Sequence, residues 1–144
     1  MYYIDTCVWL SIFNKNEKDT PNGKDSKQVV EKILFEQGDK IIYSGFVLRE
    51  LQYKLIKYYE EKRQYLGNEK EIIFVKANPN DYALARELEK KYCQVLSFFD
   101  FLHLAICKNN NYTLITFDKE LIKISQKEIS VFSPKELLKR IDFI

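Results

Sequence analysis

The 144-residue chain contains few of the residues that break or cross-link small folds, with four Gly, three Pro, three Cys and one His. So little Gly and Pro excludes a collagen-like or low-complexity chain and disfavours a turn-dense all-β fold. The cysteines, Cys7, Cys93 and Cys107, are far apart and form no C-x-x-C pair. They predict reduced, packed thiols, and they disfavour a zinc site because zinc ligands usually come in close pairs.

An excess of charge of one sign is also missing, because 23 Lys and Arg face 21 Asp and Glu, for a net charge of +2. That balance disfavours nucleic-acid binding by bulk electrostatics, although a net charge says nothing about a local basic patch. The longest apolar stretch, residues 92–107, is shorter than the ~20 residues that span a bilayer. The N-terminus carries Asp5 where a signal peptide would be apolar. We therefore expect a cytoplasmic protein with no membrane segment.

Aromatic side chains, in contrast, are abundant: ten Tyr, ten Phe and one Trp. They supply enough apolar surface for a packed core, which excludes a disordered chain. No repeat or linker divides the sequence, and its length suits one core. A single domain over residues 1–144 is therefore predicted.

Apolar periodicity predicts short strands that alternate with helices. Strands are expected at residues 2–4, 40–43, 72–75, 112–116 and 129–132. Helices are expected at residues 7–13, 27–37, 46–62, 79–92, 98–108 and 121–124 and after Ser133, with a surface loop over 14–25. Short strands that are apolar on both faces predict an α/β fold, in which helices cover both faces of a parallel sheet.

Two acids follow predicted strands. Asp5 comes directly after the first strand, and Asp118 comes two residues after Thr116, the last residue of the segment YTLIT. Parallel sheets bind ligands beyond the carboxyl ends of their strands, so both acids are candidates for a functional site. The alternative for each is a purely structural role as a helix cap, since Asp is a favoured N-cap.

Two further acids lie in predicted helices. Asp100 stands in the otherwise apolar segment 97–107, where a buried carboxylate must be capped, paired or metal-bound. His103, three residues later, is interpreted as a core histidine. Glu50 lies at the edge of an apolar helical stripe, and taken alone it is most simply a surface ion-pair partner of Lys54.

Considered together, the four acids suggest a metal site. Carboxylates that converge on one edge of a sheet repel one another at neutral pH, and a hard divalent cation with oxygen ligands relieves that repulsion. Mg²⁺ or Mn²⁺ suits such a site, and either ion supports phosphodiester cleavage. The spacing alone does not establish that the four acids converge.

Four segments, in order along the chain, resemble the PIN-domain ribonuclease family. They are the opening Asp5-Thr6-Cys7-Val8-Trp9-Leu10, Glu50 early in the long helix, the run Asp100-Phe-Leu-His103-Leu-Ala-Ile-Cys107, and Leu114-Ile-Thr116-Phe-Asp118. The resemblance covers nearly the whole chain. Its small single-domain form is similar to VapC-type toxins of toxin–antitoxin pairs.

The resemblance implies a catalytic metal site made of four acids, Asp5, Glu50, Asp100 and Asp118. It also implies that Thr116 and Thr6 support that site. The expected reaction is hydrolysis of single-stranded or looped RNA by water activated by Mg²⁺ or Mn²⁺. The expected partners are a small antitoxin protein and a second copy of the chain. A homodimer is also favoured by the aromatic content and the adjacent Tyr58 and Tyr59.

Several alternatives stay open. A PIN-like domain could process RNA without being a toxin, or it could bind RNA or protein without cutting. A receiver-like phospho-acceptor domain is also α/β with an acidic pocket, but such domains usually carry paired acids near the first strand, and Asp5 stands alone.

Other enzyme classes lack their motifs. The sequence has no G-x-G-x-x-G, Walker A or G-x-S-x-G segment, which disfavours dinucleotide, P-loop and Ser-His-Asp chemistry. For a nuclease, phosphate contacts are expected from Lys54 and Lys57 on the Glu50 helix, or from Lys119 and Lys123 near Asp118.

Overall fold

Five short strands form one parallel sheet in the computed structural model, which describes residues 1–141. The strands are β1 Tyr2–Ile4, β2 Ile41–Ser44, β3 Ile72–Val75, β4 Thr113–Ile115 and β5 Val131–Phe132. Their spatial order is β3-β2-β1-β4-β5, and every neighbouring pair is parallel. The predicted α/β fold is confirmed.

Helices connect the strands and cover the sheet. They are α1 Thr6–Phe13, α2 Pro21–Glu31, α3 Gly45–Leu55, α4 Tyr59–Asn68, α5 Pro79–Lys91, α6 Phe98–Asn110, α7 Lys119–Ser125 and α8 Pro134–Ile141. A π-helical turn, Lys32–Glu36, prolongs α2, and a 3₁₀ turn, Ile56–Tyr58, separates α3 from α4. Within the described residues, no helix is long and apolar enough to cross a membrane.

The predicted loop over residues 14–25 is shorter in the structure, because α2 already begins at Pro21. The Thr20 hydroxyl accepts a hydrogen bond from the Gly23 N–H at 3.2 Å, and Pro21 occupies the first helical position, where a missing N–H costs nothing. A Cβ on Gly23 would lie 2.2 Å from the Glu17 carbonyl oxygen, so glycine allows α2 to pack against the preceding turn.

The single helix predicted over residues 46–62 is interrupted at Ile56. This residue has a φ of 51°, in the left-handed region that β-branched residues rarely adopt. Its side chain is 78% exposed, whereas Leu55 before it and Leu66 in α4 are buried. The change of direction thus lets α4 bury an apolar side chain, which the periodicity of one helix does not reveal.

The core is formed by strands buried on both faces and by α6. All four residues of β2 are buried, as expected for a strand with helices on either side. In α6, every residue from Phe101 to Cys107 is buried, which confirms the predicted internal helix.

The strand order determines where a site can form. The chain adds β2 and then β3 on one side of β1, and it returns to place β4 on the other side. The connections therefore leave β1 and β4 in opposite directions, which opens a crevice beyond their carboxyl ends. Asp5 and Thr116 lie directly after these two strands.

Candidate active site

Asp5 is held at the end of β1 by hydrogen bonds to both of its carboxylate oxygens. Oδ1 accepts the Thr6 N–H at 2.8 Å and so caps α1, while Oδ2 accepts the Thr116 hydroxyl at 2.7 Å. The residue is 9% exposed. The capping role considered from the sequence is therefore real, but it uses only one of the two oxygens.

Asp118 is connected to Asp5 through Thr116. Its N–H donates to the Thr116 hydroxyl at 3.1 Å, and its Oδ1 caps α7 by accepting the N–H groups of Glu120 and Leu121 at 3.0 and 3.1 Å. Thr116 is fully buried, so its single hydroxyl ties the two strand-end acids into one network.

Asp100 occupies the first turn of α6 but does not cap it. The N-cap is Ser97, whose hydroxyl accepts the Asp100 N–H at 3.2 Å and donates to Asp100 Oδ2 at 3.0 Å. The structural alternative from the sequence, that Asp100 is the N-cap, is wrong, and its carboxylate is half-buried instead of fully buried. Burial, followed by the negative charges of Asp5 and Asp118, raises its pKa despite the Ser97 hydrogen bond.

Glu50 contacts His103 rather than Lys54. Its Oε1 lies 3.2 Å from Nε2 of His103, whose side chain is 2% exposed. The other ring nitrogen, Nδ1, is hydrogen-bonded to the Tyr3 hydroxyl, and that hydroxyl also lies 2.7 Å from Oγ of Ser44. His103 is a core histidine as predicted, and it also anchors Glu50.

The pKa of His103 reflects its acidic surroundings. Burial alone would lower the pKa of His103, but the hydrogen bond with Glu50 and the charges of Asp5, Glu50 and Asp100 outweigh it and raise the pKa. Asp5, Glu50 and Asp100 therefore act on His103, whereas Asp5 and Asp118 act on Asp100.

Cys7 lies at the rim of this network without the properties of a metal ligand. Its thiol donates to Asp5 Oδ2 at 3.4 Å, and burial together with the Asp5 charge raises its pKa to about 12. The thiol therefore stays protonated at neutral pH. The predicted support from Thr6 comes from its backbone N–H, since its buried hydroxyl has no partner among the described residues.

A cavity of about 230 Å³ opens between Glu50 and Asp100. Its wall also includes the exposed guanidinium of Arg49, the first-turn residues Ser97 and Phe99, and Phe46. Sequence reasoning missed Ser97 and Arg49. Ser97 stands three residues before Asp100, and this capping-box spacing could have identified it.

The donor chemistry fits a hard cation, since the four acids offer carboxylate oxygens. Within residues 1–141, however, no three His, Cys, Asp or Glu side chains are placed to hold one metal ion. Glu50 is turned toward His103, and Asp100 toward Ser97. Mg²⁺ needs no all-protein cage, because it usually keeps several waters and binds through one or two carboxylates.

The PIN-domain family model matches residues 2–127 of the chain. This chain belongs to the PIN-domain family. The resemblance inferred from four segments is thereby confirmed. No curated protein matches the sequence significantly.

Three solved structures share the fold of this PIN domain. A toxin–antitoxin complex from Klebsiella pneumoniae is 18% identical, covers 93% of this chain and 98% of its own, and has a TM-score of 0.68. FitAcB from Neisseria gonorrhoeae is 17% identical, covers 94% of this chain and 99% of its own, and has a TM-score of 0.67. VapBC2 from Rickettsia felis, bound to a promoter DNA fragment, is 19% identical, covers 92% of this chain and 97% of its own, and has a TM-score of 0.67.

Proposed function

We propose that this PIN domain is an endoribonuclease that uses Mg²⁺ or Mn²⁺ held by Asp5, Glu50, Asp100 and Asp118. The observation that carries the proposal is the Thr116 hydroxyl, which joins Asp5 and Asp118 at the switch point of the sheet. Such a network holds acids in fixed positions on rigid elements, as a metal site requires. Family membership supports nuclease activity for the same residues.

The chain's own groups provide positioning. Thr116 fixes one oxygen of Asp5, Ser97 orients Asp100, and His103 holds Glu50. When bound, the divalent cation supplies charge that activates water and neutralises the scissile phosphate. Arg49 lines the same cavity as Glu50 and Asp100, and we expect its guanidinium to contact a phosphate oxygen of the substrate.

Within this proposal, the protein acts as the toxin of a toxin–antitoxin pair, in the cytoplasm and as a homodimer, with a small antitoxin as its partner. The fold shared with the toxin–antitoxin complex from Klebsiella pneumoniae supports this assignment. An RNA-processing nuclease that is not a toxin is the alternative, and the same site would serve it. An inactive binding module is disfavoured by the presence of all four acids.

Cleavage of structured RNA by the purified chain tests the nuclease proposal. We expect cutting with Mn²⁺ or Mg²⁺ that disappears with EDTA and in Asp100→Asn. The matched control is Asp19→Asn, an exposed acid in the loop before α2, which should cut like the parent. Cutting that survives in Asp100→Asn would contradict this site, and a folded protein that binds neither ion by calorimetry would support the inactive module.

The toxin assignment needs a separate test. Expression of the chain should arrest growth, and co-expression of a small DNA-binding protein encoded beside it should restore growth. Light scattering at micromolar concentration tests the homodimer, and a monomer peak would contradict it. Normal growth on expression of an active nuclease would favour the processing enzyme.

A further inference from the structure

Five lysines from two distant parts of the sequence line one cavity of about 720 Å³. We call them the lysine patch: Lys15, Lys18, Lys54, Lys57 and Lys62. Glu61 is the only acid among the lining residues that the structure describes. A strongly positive surface therefore exists on a chain whose net charge is only +2.

The charges of the patch are largely uncompensated. Within residues 1–141, Lys62 pairs with Glu61 at 3.6 Å, and the other four lysines form no ion pair. The ammonium groups of Lys15 and Lys57 lie 4.9 and 5.2 Å from the ring centroid of Tyr58. Contact with an aromatic face leaves the positive charge available to an anion.

The patch is connected to the candidate active site by two helices. Asp5 caps α1, which ends at Phe13, two residues before Lys15, and α3 carries both Glu50 and Lys54. At 1.5 Å per residue, the eight residues of α1 rise about 12 Å, and the four residues from Glu50 to Lys54 on α3 rise about 6 Å. A nucleic acid strand that reached from the acids to the patch would cover roughly two to four steps of 3.4 Å.

We propose that the lysine patch binds the phosphate backbone of the RNA substrate at positions away from the scissile bond. The inference rests on the proposed nuclease function, because it assigns the patch to the same substrate. Exposed lysines act as hydrated point charges that suit a repeating phosphate backbone. Such contacts position RNA without reading its sequence, so the patch contributes affinity and not base specificity.

The test measures binding of a fluorescent RNA hairpin to the full chain by anisotropy, in EDTA so that no cleavage occurs. The patch variant is Lys54→Gln/Lys57→Gln, and the control with equal charge loss is Lys135→Gln/Lys139→Gln on α8, where both lysines are exposed. The slope of log affinity against log salt should fall by about 0.7–0.9 for each lysine that contacts a phosphate. The control should keep the parent slope, and circular dichroism checks that both variants fold.

The outcomes separate this inference from the nuclease proposal. Reduced affinity and slope in the patch variant alone would support the patch, even if the parent chain never cuts RNA. Equal slopes for the parent and the patch variant would overturn the patch, even if cleavage is normal. A third outcome would also overturn the proposal: the patch variant binds the hairpin as the parent does, while poly-glutamate of matched charge competes for the patch of the parent. That result would assign the surface to an acidic protein.

Discussion

The hydroxyl of Thr116 donates a hydrogen bond of 2.7 Å to Oδ2 of Asp5, across 111 positions of sequence. The hydroxyl oxygen of Thr116 in turn accepts the backbone N–H of Asp118 at 3.1 Å, so one buried hydroxyl contacts both acids. This relationship gives a structural role to the threonine that directly follows β4. It also makes the site dependent on a residue that need not touch substrate.

Replacement of Thr116 by Val should weaken both the fold and the activity. Val keeps the shape but removes the hydroxyl that the Asp118 N–H contacts and leaves Oδ2 of Asp5 with the more distant Cys7 thiol, a loss of about 1–3 kcal/mol. Cleavage should fall about 10- to 100-fold, as when a group that orients a metal ligand is removed. Thr116→Ser retains the hydroxyl and should behave like the parent in urea unfolding and cleavage assays, and a Ser variant as impaired as Val would contradict this role.

Asp100→Asn should stabilise the metal-free protein while it abolishes cleavage. Burial and the charges of Asp5 and Asp118 raise the pKa of Asp100, so its carboxylate is unfavourable to the fold at neutral pH. Asn removes the charge and still accepts the Ser97 hydroxyl, for a gain of up to about 1 kcal/mol. Thermal unfolding in EDTA measures the change, and a lower melting temperature than the parent would show that the acids do not repel one another.

Tyr3→Phe should destabilise the protein by about 1–3 kcal/mol. The fully buried Tyr3 hydroxyl bridges His103 and Ser44, and its loss leaves polar atoms of both without that partner. The matched control is Tyr2→Phe, because the Tyr2 hydroxyl makes only an exposed bond of 3.3 Å to Gln37. Urea unfolding should separate the two variants, and equal midpoints would argue against a buried network.

The lowered pKa of Glu128 predicts that the stability of the fold depends on pH. Burial alone would raise the pKa of Glu128, but hydrogen bonds from Lys108, Tyr92 and Lys91 outweigh it and lower the pKa from 4.5 to about 2. A lowered pKa in the folded state contributes stability that is complete above pH 4.5 and is lost as pH falls toward 2.

In the variant Glu128→Gln, the loss of folding stability at low pH should be smaller than in the parent. At pH 7 the variant should be about 1–3 kcal/mol less stable than the parent, because it loses charge-assisted hydrogen bonds. The difference should shrink as the pH is lowered. The control is Glu136→Gln, whose carboxylate meets the Ser133 hydroxyl at an exposed position. A constant difference between Glu128→Gln and the parent from pH 7 to pH 3 would contradict the pKa shift.

The strand positions and the α/β class could be predicted because they depend on local apolar patterning. β2 and β3 were placed to within one residue by short buried runs, and α5 by the capping box of Asn78 and Asp81. The interruption at Ile56 could not be predicted, because the apolar spacing continues across it. What decides that turn is the burial of Leu66 in α4.

The same distinction applies to the candidate site and the patch. Local sequence pattern selected Asp5, Asp100 and Asp118, since acids after strands and inside an apolar helix are conspicuous. Glu50 was selected through the resemblance to the PIN-domain family. Tertiary structure alone decided that Thr116 joins two of them, that His103 and not Lys54 meets Glu50, and that Lys15 and Lys18 join Lys54 and Lys57. The physical reason is that hydrogen bonds and charge clusters depend on distances between chain segments, and only packing sets those distances.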